Sequence, residues 1–224
     1  MIRIHIICEG QTEETFINEL LVPYFAKEQI FLIPSLIGKP GHKGGAVNIQ
    51  RLVTDVRLRL LSDKTSYCTT FFDFYGLPSD FPRKQEASNK TLIEDKAKEI
   101  HSGILSSLEN RIGSEPLKRF IPYIQMYEFE GLLFSDPAGF CRGIDEPMLV
   151  AEEFKIMRDG FETPEHINDS PVTAPSKRIK IELPKYDKVI YGSLAALEIG
   201  LDKIRAECKL FDNWLKKLEA LKTD

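Results

Sequence analysis

The chain has 224 residues, 29% of them charged and 42% hydrophobic, with a net charge of −4. That length carries one large core with room for an appended subdomain, and the acidic balance excludes an overall basic footprint for nucleic acid, leaving only a local patch for such binding. No apolar run approaches the ~18 residues of a membrane span and no signal peptide is visible, so the expectation is a soluble, cytoplasmic protein without a membrane partner.

Ile2 to Cys8 is rich in β-branched residues and reads as a buried strand. It ends in Cys8-Glu9-Gly10, and Gln11-Thr12-Glu13 opens a helix with Phe16, Ile17, Leu20, Leu21 and Tyr24 on one stripe. A second strand is expected from about Phe31 to Ile37, followed by a Gly-rich loop from Gly38 to Gly45. The next helix carries Ile49, Leu52, Val53, Val56 and Leu60 at helical spacing. A third strand, Tyr67 to Phe72, delivers Asp73, and a helix follows from about Thr91 to Leu108. A fourth strand, Phe120 to Met126, runs into Tyr127-Glu128-Phe129-Glu130. Alternating strands and amphipathic helices predict a mostly parallel four-stranded α/β sheet flanked by helices.

After Asp136-Pro137 the pattern turns to helices and loops, so residues 1–137 read as the α/β domain and 138–224 as a helical C-terminal extension. Thr163 to Pro175 reads as a loop. Ile190, Leu194, Leu197, Leu201, Ile204, Cys208, Phe211, Leu215 and Leu218 recur at alternating spacings of four and three. That seam predicts one long amphipathic helix, packed on its own domain or forming a homodimer, with Gly192 and Gly200 as weak points in its early turns. Cys8, Cys68, Cys141 and Cys208 form no CxxC pair and no zinc spacing, and are expected to be reduced and structural.

Glu9 and Asp73 are the leading candidates for chemistry. Open parallel sheets bind ligands at the carboxyl ends of their strands, and two carboxylates there can share Mg²⁺ or Mn²⁺, which prefer oxygen ligands. Glu128 and Glu130 follow strand four among bulky apolar residues, where acidic groups rarely stand without a partner; Glu130 is the favoured one. Glu13 and Glu14 are weaker, because the helix dipole alone favours acids in a first turn. For phosphate, the loop supplies Lys39, His42, Lys43 and Gly44, whose backbone amides can approach an anion, although the spacing is not that of a P-loop. Lys177, Arg178 and Lys188 form a second basic group, with Lys177 or Lys188 placed to stabilise charge on a phosphoryl group.

The strings CEGQTEETF, FFDFYGLPSDFP, YEFEGLLFSD and APSKRI, in this order, resemble a bacterial Toprim-like family known as domain of unknown function 4276. The resemblance spans nearly the whole chain. It implies a Toprim-like, Rossmann-like fold related to overcoming-lysogenization-defect nucleases, with a metal-binding Glu after the first strand, matched by Glu9, and an Asp-x-Asp after a later one, whose first Asp is Asp73. Tyr75 stands in place of the second Asp, so Asp80, Glu128 or Glu130 is needed to complete the ligands. Phe129-Glu130 resembles the Phe-Glu step of related nucleases. Relatives are encoded beside ATPases of the structural-maintenance-of-chromosomes type, which implies such a partner and a role in phage defence.

The expected function is therefore a Mg²⁺- or Mn²⁺-dependent phosphodiesterase acting on DNA or RNA. Glu9, Asp73 and Glu130 would hold the metal and Lys177 would neutralise developing charge. Two alternatives stay open: a non-catalytic scaffold that has lost its second Asp, and a small-nucleotide phosphoryl-transfer enzyme using the same carboxylates.

Overall fold

The computed structural model describes residues 1–38, 47–168 and 173–223. Strand β1 (Ile2–Cys8) leads into α1 (Gln11–Phe16), which continues through a π-helical turn (Ile17–Leu21) into α2 (Val22–Ala26). Then come β2 (Ile30–Leu36), α3 (Ile49–Ser62), β3 (Tyr67–Asp73), α4 (Lys84–Ser88), α5 (Ile93–Ile112) and α6 (Ser114–Leu117). The fourth strand is in two pieces, β4 (Phe120–Ile121) and β5 (Ile124–Gln125), and a 3₁₀ segment follows at Phe129–Ser135. The remainder is helical: α7 (Pro137–Gly143), α8 (Met148–Asp159), a 3₁₀ turn (Pro164–His166), α9 (Pro175–Glu182), α10 (Lys188–Ile199), α11 (Leu201–Glu207), α12 (Lys209–Glu219) and a last 3₁₀ turn (Ala220–Thr223).

The sheet has the order β2-β1-β3-β4, with β5 also paired to β3, and every pairing is parallel. Pro122 explains the split fourth strand, since it has no N–H to give the ladder. The hydroxyls of β3 bridge the gap: Thr69 donates to the Ile121 carbonyl, and Thr70 donates to the Tyr123 carbonyl at 2.7 Å while accepting from its N–H at 3.0 Å.

Alternate strand residues feed two cores. Ile4, Ile6, Cys8 and Phe71 join α1, α2 and the C-terminal helices on one face. Ile7, Cys68 and Phe72 join α3 and α5 on the other. The anchor of the first core is Trp214, stacked on Tyr123 at 4.4 Å between ring centroids and donating its indole N–H to Thr69 Oγ1 at 2.9 Å. The C-terminal helices thus cover the very sheet that positions the site.

The expected single C-terminal helix is instead three. Gly200, at φ 81°, ends α10 and starts α11; this left-handed backbone is one glycine adopts at little cost. A second break falls at Cys208, and buried Glu165 receives the freed Leu210 and Phe211 N–H groups at 2.8 and 2.9 Å. The seam divides accordingly. Ile190, Leu194 and Leu197 are 57%, 46% and 43% exposed, whereas Leu201 to Leu218 close the protein's own core. Gly192 stays inside α10, where an added Cβ would come within 3.1 Å of the Phe129 ring. All four cysteines are buried and free.

Candidate functional site

The parallel sheet sends the carboxyl ends of β1 and β3 to the same edge, so Glu9 and Asp73 meet as expected. Glu9 Oε2 accepts the backbone N–H of Asp73 at 3.1 Å. Gly76 makes this approach possible: a Cβ there would lie 2.3 Å from both Glu9 carboxylate oxygens. At the start of α1, Glu13 folds back so that Oε2 accepts the Gly10 N–H at 3.0 Å, while Oε1 points into the site. Glu130 enters from the first turn of the 3₁₀ segment.

Lys188, the first residue of α10, joins these groups. Its Nζ lies 3.0 Å from Asp73 Oδ2, 3.2 Å from Glu13 Oε1 and 3.3 Å from Glu130 Oε2. The lysine side chain keeps 32% of its surface exposed, against 7% for Asp73 and 2% for Glu130, so it forms the solvent side of the cluster. Asp187 caps α10 by accepting from the Val189 and Ile190 N–H groups, which fixes the turn that aims Lys188 inward.

One ammonium faces four carboxylates, and the protonation equilibria record the imbalance. Burial, then repulsion by Glu13, pushes Glu9 up to about 7. Burial raises Asp73 well above the usual carboxylate range against the pull of Lys188, and it raises Glu130 in the same way. Burial alone would pull Lys188 down, but Asp73, Glu130 and Glu13 outweigh it and hold the ammonium charged. Among the described residues Asp73 Oδ1 is buried without a hydrogen bond, and Glu130 Oε2 has only the Lys188 ammonium, 3.3 Å away. An unsatisfied carboxylate oxygen and an excess of acids over cations suit a hard cation. Among the described residues no three His, Cys, Asp or Glu side chains stand as a metal cage; Glu13, Asp73 and Glu130 close on Lys188 instead.

The other expected residues divide. Glu128 accepts the Ser176 N–H at 2.9 Å, at the start of α9. Lys177, the next residue, is exposed. Arg178 donates to the Thr173 carbonyl at 2.7 Å and lies over the Phe161 ring. Asp80 is exposed in the loop after β3 and, among the described residues, makes no contact with the cluster. Lys39, His42, Lys43 and Gly44 lie outside the described residues. Glu13, a weaker candidate in the sequence because a first-turn acid also serves the helix dipole, stands within the cluster. Lys188, expected at a phosphate, contacts the carboxylates in this structure.

Fold and site together define a parallel α/β protein with a strand-end carboxylate cluster closed by a lysine. Residues 8–219 match the family described as domain of unknown function (DUF4276), and the chain belongs to it. No curated protein matches. Among solved structures the chain is similar to the C-terminal region of the Burkholderia pseudomallei OLD protein, with 12% identity over 99% of this chain and 98% of that one and a TM-score of 0.48. It is also similar to the C-terminal region of the Xanthomonas campestris pv. campestris OLD protein, with 14% identity over 100% and 98% and a TM-score of 0.41. No helix among the described residues is long and apolar enough to cross a membrane.

Proposed function

We propose that this chain is a Toprim-type phosphodiesterase that cleaves DNA or RNA with the help of Mg²⁺ or Mn²⁺. The observation that carries the reading is the meeting of strand-end Glu9 and Asp73 with Glu130 in a site whose charge Lys188 does not balance. Glu9, Asp73 and Glu130 would hold the metal. When bound, such an ion polarises the scissile phosphate and lowers the pKa of an attacking water.

The chain's own residues supply the rest. As an alternative to holding the metal, Glu9, whose carboxyl burial pushes up to about 7, acts as general base. Lys188, once released by the carboxylates, presents an ammonium to a phosphate oxygen at the same spot, and Lys177 on the neighbouring helix neutralises developing charge. Asp80 and Glu128 stay outside this ligand set, the first exposed and the second engaged by Ser176. Arg178 and the sequence-predicted phosphate residues Lys39, His42, Lys43 and Gly44 are assigned to the nucleic-acid backbone. A net charge of −4 limits unaided binding, so we assign substrate delivery to a partner ATPase of the structural-maintenance-of-chromosomes type, in phage defence. The exposed stripe Ile190, Leu194 and Leu197 is the face we assign to that partner or to a second copy.

The test is cleavage of plasmid and single-stranded DNA with Mg²⁺ or Mn²⁺, comparing wild type with Glu9→Gln and Asp73→Asn. Metal-dependent cleavage lost in both variants is the expected result, and cleavage that survives both overturns the assignment. A second reading, a non-catalytic subunit, is favoured by the closure of Lys188 on the carboxylates; an inert wild type whose stability ignores Mg²⁺ would support it.

A further inference from the structure

Beside the carboxylates lies a cavity of about 810 Å³, within the roughly 300–1,000 Å³ of small-molecule sites. Phe74, Tyr75, Tyr127 and Phe161 line it, together with Lys84 and Lys96. Its two tyrosines grow from the segments that build the catalytic candidate: Tyr75 lies two residues after Asp73, and Tyr127 immediately precedes Glu128. The Tyr75 N–H donates to the Tyr127 carbonyl at 3.0 Å, and the two rings stand 5.5 Å apart. Tyr127 adopts φ 63°. A left-handed backbone costs a non-glycine residue on the order of 1 kcal/mol, and such strain gathers at functional sites.

The two lysines are equally unusual. Lys84 Nζ sits 3.1 Å from the centroid of the Phe74 ring and donates to the Phe74 carbonyl. Lys96 Nζ donates to the Ser88 carbonyl at 3.1 Å. Among the described residues neither forms an ion pair. Burial, with Lys96 adding repulsion, pulls Lys84 down to about 7, and burial lowers Lys96 as well. Two amines without counter-charge among the described residues, one of them over an aromatic ring, suit an anion that carries a flat π-face. Asn168 also lines the cavity, and its Oδ1 is buried with no hydrogen-bond partner among the described residues.

We infer that this cavity binds one nucleotide unit, its base stacked on Tyr75 and Tyr127 and its phosphate met by Lys84 and Lys96. The inference deepens the proposed function and rests on it for the choice of a nucleic-acid strand; a free mononucleotide shares the chemistry. It also gives Tyr75 a purpose at the place where the resemblance expects a second Asp: the position serves base stacking instead of metal ligation.

The test is fluorescence anisotropy of a labelled oligothymidylate of about 12 nucleotides, in EDTA so that cleavage plays no part. Competitors are AMP and an abasic strand of equal length. The oligomer should bind, the abasic strand about tenfold more weakly, and Tyr75→Ala and Lys84→Met should each weaken oligomer binding about tenfold, as loss of one base stack does. Tyr75→Leu keeps a larger apolar side chain than alanine without the ring and should show the same loss if Tyr75→Ala fails to fold. Displacement by AMP extends the site to free nucleotides, and its failure restricts the site to strands. Equal binding of abasic and intact strands, unchanged affinity in Tyr75→Leu, or no binding at all overturns the inference. Parallel cleavage assays separate the two readings: base-dependent binding without cleavage sinks only the catalytic one, and cleavage without base preference sinks only this one.

Discussion

Replacing Glu9 by Gln should make the metal-free protein more stable at pH 8. Glu9 is desolvated and repelled by Glu13, and its carboxyl is pushed from 4.5 to about 7. A carboxyl held higher in the folded than in the unfolded state binds its proton more tightly when folded. Its contribution is therefore fully present below pH 4.5 and is lost as pH rises to about 7. At about 1.4 kcal/mol for each pH unit, the gap between 4.5 and about 7 is worth about 3 kcal/mol. Gln keeps an oxygen to accept the Asp73 N–H and does not ionise. Urea unfolding in EDTA should give the variant a gain approaching about 3 kcal/mol at pH 8 and close to none at pH 4.5. Equal gains at both pH values would mean that packing, not charge, is responsible, and no gain at pH 8 would refute the reasoning. Added Mg²⁺ should reverse the order, because it stabilises only a site that can hold it.

Lys188→Met removes the cation that Asp73, Glu13 and Glu130 share. Leaving buried carboxylates unpaired costs about 3–5 kcal/mol, so unfolding at pH 8 should show a loss of that order, smaller at pH 5 as the carboxylates take up protons; a pH-independent loss would contradict the charge account. Gly76→Ala drives a Cβ against both Glu9 oxygens and should cost about 1–3 kcal/mol. In a Glu9→Ala background most of that cost should vanish, and a double-mutant cycle without coupling would refute the contact. Trp214→Ala loses the Tyr123 stack and the bond to Thr69 and should cost about 3–5 kcal/mol in urea unfolding; a smaller loss would mean that the C-terminal helices are not needed to close the sheet.

The strands β1, β2 and β3 and the helices between them were legible in the chain. The central strands β1 and β3 appear as largely apolar runs because both faces are covered, edge strand β2 shows a similar run although Phe31 and Ile33 are exposed, and α3 and α5 show their buried stripes at helical spacing. Glu9 and Asp73 were legible for the same reason, each being the first acid beyond such a run. Local pattern also marked Gly200 as a weak point, and there the C-terminal helix does end.

Lys188 lies 115 residues from Asp73 along the chain, and only the packing of α10 against α1 decides that its ammonium meets carboxylates. Glu13 looked like an ordinary helix-start acid until its second oxygen proved to face the cluster. The heptad seam carried no information on what it packs against, since an apolar stripe is satisfied by any apolar surface. The sequence by itself determined the sheet and the two acids at its edge, because those depend on neighbours a few residues away. Tertiary structure alone decided the charge balance of the site, the covering of the sheet by α12 and the aromatic cavity beside it, because each joins groups from distant segments.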